Sequence, residues 1–153
     1  MPKLNLDTIP QTNATGYPAP FDAAVAARWY RRLAPATGLT AMGVSHVVLK
    51  PGAWSSQRHW HDSEDEFVVM LAGEAVLVEA GGETVLRAGD CAAFPMGVAD
   101  GHHLQNRSDA DCVFLAISAG PRGSGGYSDI DMMFTPEGYF RKDGTRYETE
   151  RLK

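Results

Sequence analysis

No run of apolar residues in this sequence approaches the roughly 20 needed to cross a bilayer as a helix. The opening stretch, Met1 to Asp7, lacks the uninterrupted apolar segment of a secretory leader, so a cytoplasmic location is expected. Cysteine is scarce. Cys91 and Cys112 are too few and too far apart for a disulfide framework or a zinc ribbon, and are expected as free thiols in strands. An excess of positive charge is also missing. With 14 Lys and Arg against 19 Asp and Glu, the formal net charge of −5 gives no general attraction to nucleic-acid backbones or anionic lipid. Neither nucleic acid nor membrane is therefore expected as a partner. The glycine-rich stretch Gly120 to Gly126 has no lysine and no strand–helix context. That excludes a phosphate cradle and leaves the expectation of a flexible loop.

What is present reads as one domain. At 153 residues, with 44% hydrophobic and 22% charged, the chain has the composition of an ordinary globular protein with a real core. Three regions stand out. Residues 1–38 are an N-terminal arm and first strand: Pro2, Pro10, Pro18 and Pro20 space out an extended arm, and a short helical turn over Asp22 to Ala27 runs into a strand over Trp29 to Leu33. Residues 39–118 carry the densest β signal. Val44–Leu49, Phe67–Leu71, Ala75–Val78, Thr84–Leu86, Cys91–Phe94 and Cys112–Ile117 are short apolar or alternating runs. Pro51-Gly52, Ala72-Gly73, Gly81-Gly82 and Ala88-Gly89 punctuate them as turns. Many short strands at near-regular spacing mean an all-β sandwich or barrel. Residues 119–153 form a C-terminal loop and strand extension of the same domain, with a hairpin turn at Lys142 to Thr145.

The chemistry lies in two segments. His59 and His61 are two apart, so in a strand both imidazoles leave the same face and aim two nitrogens at one point. Glu66 stands at an odd offset from them, so the acidic stretch Asp62 to Asp65 must bend and reset the face. Beyond the bend, Glu66, Val68 and Met70 share one side and Phe67, Val69 and Leu71 the other. The second segment turns at Gly89-Asp90 and again at Pro95 to Gly97, then enters a strand with His102, Leu104 and Asn106 on one face. Around these, Gln57 shares parity with His59 and His61 and is a candidate substrate contact. Glu64 is a reserve ligand and otherwise, like Asp65, a solvated turn acid. His46 stands apart as a surface or core residue. Trp60 points away from the site to pack, and Tyr127, Asp129 and Asp131 are expected at a strand end on the surface.

The two segments resemble the paired motifs of the cupin superfamily. The first family motif runs glycine, five residues, His-x-His, three or four residues, Glu, six residues, glycine. Here the gap from Gly52 to His59 is one residue longer, while His59, His61, Glu66 and Gly73 fit. The second runs glycine, five residues, Pro-x-Gly, two residues, His, three residues, Asn. Gly89, Pro95 and Gly97 fit, but two extra residues precede the histidine, which leaves His102 and His103 as alternatives; the spacing to Asn106 favours His102. The resemblance implies a cupin jelly-roll β-barrel, a double-stranded β-helix, with a metal held by His59, His61, Glu66 and His102. Imidazoles with one carboxylate suit one divalent transition-metal ion (Zn, Mn, Fe or Ni), with positions left open for water or substrate.

Function is expected to be that of a metal-dependent enzyme on a small polar metabolite: a sugar or sugar-phosphate isomerase, or a dioxygenase or lyase. A non-catalytic module for a metal or small ligand is the alternative. A homodimer is also expected. Phe67, Val69 and Leu71 are as apolar as the face opposite, so both sides of that strand need cover, and residues 1–33 are expected to contribute to the dimer interface.

Overall fold

The computed structural model describes residues 3–148; Pro2 of the arm and residues 149–153 of the C-terminal extension lie outside the described residues. The chain is built almost wholly of antiparallel strands. They are β1 (Arg28–Arg32), β2 (Met42–Leu49), β3 (His59–His61), β4 (Asp65–Ala72), β5 (Glu74–Glu79), β6 (Gly82–Arg87) and β7 (Cys91–Phe94), followed by β8 (His103–Gln105), β9 (Cys112–Ala119), β10 (Gly125–Tyr127), β11 (Met133–Thr135) and β12 (Gly138–Phe140). One sheet runs β1-β2-β9-β4-β7. The facing layer comes in two pieces, β12-β11-β10-β3 and β6-β5-β8, joined by a backbone bridge between His59 and His102.

The strands form where side chains alternate between core and outside. In β4, Val68 and Met70 are 8% and 1% exposed, whereas Phe67 and Leu71 on the other side are 38% and 45% exposed. Leu49, Val68, Met70 and Phe114 from the first sheet meet Ala75, Leu77, Leu86 and Leu104 from the second, and that contact is the core. Between β4 and β5 the chain reverses at Gly73, whose φ is 69°. A side chain there would also stand 2.5 Å from the Asp111 carbonyl, so both conformation and space demand glycine.

Leu33 does not extend β1. It opens a single helical turn, α1 (Leu33–Thr37), closed by Gly38 in the left-handed conformation. Pro35 is tolerated because it lies in the first turn, where its missing N–H has no helical partner to lose. The arm lies on the domain, but elsewhere than on the outer face of β4. Thr12 and Tyr30 exchange backbone hydrogen bonds of 3.0 and 2.8 Å, so the arm pairs with the free edge of β1. The hydroxyl of Tyr30 donates to the Ala14 carbonyl at 3.0 Å, and the Asn13 side chain donates to the Ala26 carbonyl at 3.1 Å.

The end of the glycine-rich stretch differs from its expectation as a flexible loop, while residues 120–124 do form a loop. Gly125, Gly126 and Tyr127 are buried and form β10, paired on one side with β3 and on the other with β11. A side chain at Gly125 would run into the Trp60 carbonyl and the Phe134 ring, and one at Gly126 would meet the Trp60 indole at 2.9 Å. These glycines are required for close packing. Tyr127, expected on the surface, is 4% exposed and faces inward.

Candidate metal centre

β3 presents His59 and His61 to the interior. The chain then leaves its sheet through Asp62 to Glu64 and enters the other sheet as β4, bringing Glu66 to face them. That crossing resets the side-chain parity. It is tied down from the C-terminal segment: Asp62 N–H donates to the Ser124 carbonyl at 2.9 Å, and the Ser63 hydroxyl donates to the Pro121 carbonyl at 3.1 Å. The fourth side chain, His102, arrives just ahead of β8, held by its backbone bridge to His59. The two extra residues before it are absorbed in a loop, where the Asp100 carboxylate accepts from Ala80 N–H at 3.0 Å.

Three imidazoles converge on one oxygen. Glu66 Oε2 lies 3.5 Å from His59 Nε2, 3.4 Å from His61 Nε2 and 2.9 Å from His102 Nε2. Ligands about 2.1 Å from a shared ion stand roughly 3 to 3.5 Å from one another, which matches the spacing of each imidazole from Glu66. His59, His61 and Glu66 offer ligand atoms that all lie within 4.8 Å of each other and could hold a metal ion. His102 falls outside that group and joins it through its 2.9 Å contact with Glu66.

The surroundings fix the orientation and charge state of these groups. His59 Nδ1 sits 3.0 Å from the Gln57 carbonyl, to which it donates, so Nε2 keeps its lone pair toward the cluster. Burial pushes the His59 imidazole down to about 4, so it stays neutral at pH 7. Burial alone would raise the Glu66 carboxyl, but the His102 hydrogen bond and the neighbouring imidazoles outweigh it and hold Glu66 down at about 2. His102 stacks face to face on Phe94, with ring centroids 3.5 Å apart and planes 1° from parallel. Phe94 itself sits opposite Glu66 in the β4–β7 ladder, so one cross-strand pair places both the carboxylate and the stacking partner of His102.

The neighbouring candidates fall differently. His103 points away: its Nδ1 donates to the Ser56 carbonyl at 2.9 Å, its Nε2 accepts from the Gln105 amide at 2.9 Å, and burial lowers its pKa. Glu64 reaches the far side of His61, 3.4 Å from Nδ1 rather than Nε2, so it sits behind the ligand face. Gln57 is not among the cavity-lining residues: its side-chain amide donates to the Phe21 carbonyl at 2.8 Å. Asp129 forms a two-bond ion pair with Arg58, and Asp131 accepts from Lys142 N–H. His46 lies across the β1–β2 ladder from Arg31, and burial followed by that charge lowers its pKa.

Above the cluster opens a cavity of about 650 Å³. Phe134 stands 5.0 Å from His61 and Tyr127 5.9 Å from His59, ring centre to ring centre. Tyr17 from the arm packs 5.7 Å from Tyr127 and 5.5 Å from Tyr139. Burial raises the pKa of all three phenols above the ordinary range, so they are hydrogen-bond donors at neutral pH, never bases. The far wall is Arg28, Tyr30 and Arg32 of β1. Of these wall residues only Tyr127 is singled out in sequence, and it is expected there on the surface. Only β1 offered a signal, since Arg28, Tyr30 and Arg32 alternate onto one face.

The model of the cupin domain family matches residues 45–118. A solved structure from Silicibacter pomeroyi DSS-3, described as a sugar phosphate isomerase from a cupin superfamily, is 43% identical. It superposes with a TM-score of 0.90, covering 96% of this chain and 97% of that one. A structure from Acidithiobacillus ferrooxidans shares the fold at 23% identity and a TM-score of 0.71, over 80% of this chain and 81% of that one. So does a Cupin 2 conserved barrel domain protein from Salinispora arenicola, at 23% identity and a TM-score of 0.56, over 78% of this chain and 87% of that one. No curated protein matches the sequence. With both motifs folded into one double-layered barrel and a relative this similar along nearly the whole chain, the protein belongs to the cupin superfamily.

Proposed function

We propose that His59, His61, Glu66 and His102 hold one divalent transition-metal ion, and that the chain isomerises a phosphorylated sugar in the cavity above it. The observation that carries this is the convergence of three Nε2 atoms on Glu66 Oε2 at 2.9 to 3.5 Å, beside a cavity of about 650 Å³. That volume suits a small metabolite. The Silicibacter pomeroyi relative, described as a sugar phosphate isomerase, supports the reaction class. A bound ion would supply Lewis-acid polarisation of a sugar carbonyl. The chain's own residues orient the ion's holders and the substrate. Gln57 and Ser56 hold His59 in one tautomer, and Phe94 fixes the plane of His102. Tyr17, Tyr127 and Tyr139 offer O–H donors to sugar hydroxyls, and the aromatic wall excludes water.

Two measurements test this. Elemental analysis should find zinc, manganese, iron or nickel, and a panel of aldose and ketose phosphates should interconvert in its presence. Iron with oxygen consumption and no isomer exchange would move the protein to oxygen chemistry instead. A metal-free protein that binds sugar without turnover would make it a binding module.

The same reading extends to assembly and location. The outer face of β4 leaves Phe67 and Leu71 exposed and continues across Leu115 and Ile117 of β9, which supports a two-fold homodimer formed through this sheet. Both cysteines are free, Cys91 exposed and Cys112 buried, as suits a reducing cytoplasm. No helix among the described residues is long and apolar enough to cross a membrane.

A further inference from the structure

The cavity has two chemically distinct ends, and the proposed function uses only one. On β1, Arg28, Tyr30 and Arg32 share a face, and all three line the cavity. The Arg28 and Arg32 guanidiniums lie 5.3 and 5.8 Å from the Tyr30 ring centre, so one aromatic side chain spaces and orients two cations. Neither arginine has a carboxylate partner among the described residues, whereas Arg58, Arg87 and Arg107 each do. Arg28 donates from Nη1 to the Ser55 carbonyl at 2.6 Å, which fixes its head, yet its Nε is buried without any partner. An orphaned, buried donor on a cation marks a place where an acceptor is missing. Ser45, directly across the ladder from Arg32, adds a hydroxyl to the same wall. Apart from Glu66, the cavity has one carboxylate, Glu137; it accepts the Thr135 hydroxyl and lies on the exposed turn between β11 and β12. Two unpaired cations inside a chain of net charge −5 form a wall selective for an anion.

The position of this wall sets what it can hold. In the sheet order β1-β2-β9-β4, Arg32 and Glu66 belong to strands three places apart. That is about 14 Å across the sheet, and the ladders set Arg32 level with Val68, two residues along from Glu66. The separation is about 16 Å in all, a span filled by an arginine side chain and an open-chain sugar phosphate of about five or six carbons. We propose that Arg28 and Arg32, with Ser45, form an oxyanion subsite that takes the phosphate of the substrate while its carbonyl end lies at the His59–Glu66 cluster. The subsite rests on the reading of the protein as a sugar-phosphate isomerase and names how that substrate is gripped. Guanidinium forks match phosphate oxygens in geometry as well as charge.

The test is binding, measured by calorimetry on the full chain after chelator treatment, so that the metal plays no part. The probes are inorganic phosphate, a hexose phosphate, the same hexose without phosphate, and the corresponding sugar acid. The subsite predicts that both phosphates bind, that the unphosphorylated hexose does not, and that the sugar acid binds more weakly. Arg32→Ala is the cleaner variant, because Arg32 is exposed and donates no hydrogen bond to the fold. It should weaken phosphate binding by about tenfold or more, leave melting temperature and metal content unchanged, and be partly rescued by Arg32→Lys. Tighter binding of the sugar acid than of the hexose phosphate would overturn the phosphate assignment. Unchanged phosphate affinity in Arg32→Ala would overturn the subsite. The two readings fail separately. Isomerisation of a free sugar without phosphate binding would sink the subsite and leave an isomerase, whereas arginine-dependent phosphate binding without turnover would do the reverse.

Discussion

His59, His103 and His46 are all held below the ordinary imidazole range, in each case first by burial. Their shared direction fixes how the metal-free protein responds to acid. Below about pH 6.5 the unfolded chain takes up protons that the folded chain refuses, so stability rises with pH in that window. The contribution is complete above about pH 6.5 and is lost as pH falls toward the His59 value of about 4. His59 alone accounts for on the order of 3 kcal/mol of this loss. Denaturant melts of chelator-treated protein across this range should show the fall, and His103→Gln, which removes one titrating group, should make it shallower. A flat profile would mean that these imidazoles are not buried as described. The same scale shows why Arg28 and Tyr17 were illegible as site residues. Their roles depend on which cavity a strand face or an arm happens to wall, and no local spacing encodes that.

Among the elements, strands that are short apolar or alternating runs between turn residues could be read directly, as β2, β4, β5 and β9 show. β10 could not. Glycine carries no β preference, and Gly125 and Gly126 are extended only because β3 supplies a ladder and the Trp60 indole lies against them. Gly125→Ala should therefore cost about 1 to 3 kcal/mol in thermal unfolding. It should also weaken metal binding, because β10 holds the strand that carries His59 and His61; loss of stability with metal affinity intact would detach β10 from the site. α1 was missed for a similar reason, since no side chain caps its start and one turn gives no periodicity to detect. In β4, Met70 is 1% exposed between the layers, and Met70→Ala should lower stability by about 2 to 5 kcal/mol, read from denaturant midpoints.

At the scale of the molecule, the proposed ligands come from both layers: His59 and His61 from one sheet, Glu66 from the other, and His102 from the junction between pieces. An ion bound there staples the barrel, so chelation should lower the melting temperature and restored metal should raise it again. The exposed face of β4 makes a separate prediction. Light scattering should give a dimer at micromolar concentration, and Phe67→Asp should give a folded monomer; a monomeric parent protein would sink the interface. The arm serves the cavity, so removing residues 1–20 should impair ligand binding, through loss of Tyr17 and the β1 edge pairing. The most direct test of the central claim is elemental analysis of the purified protein beside His102→Ala and His103→Ala. The account predicts one divalent transition-metal ion per chain in the parent and in His103→Ala, and none retained by His102→Ala. Full metal in His102→Ala, or a parent chain that neither carries nor takes up such an ion, would contradict it.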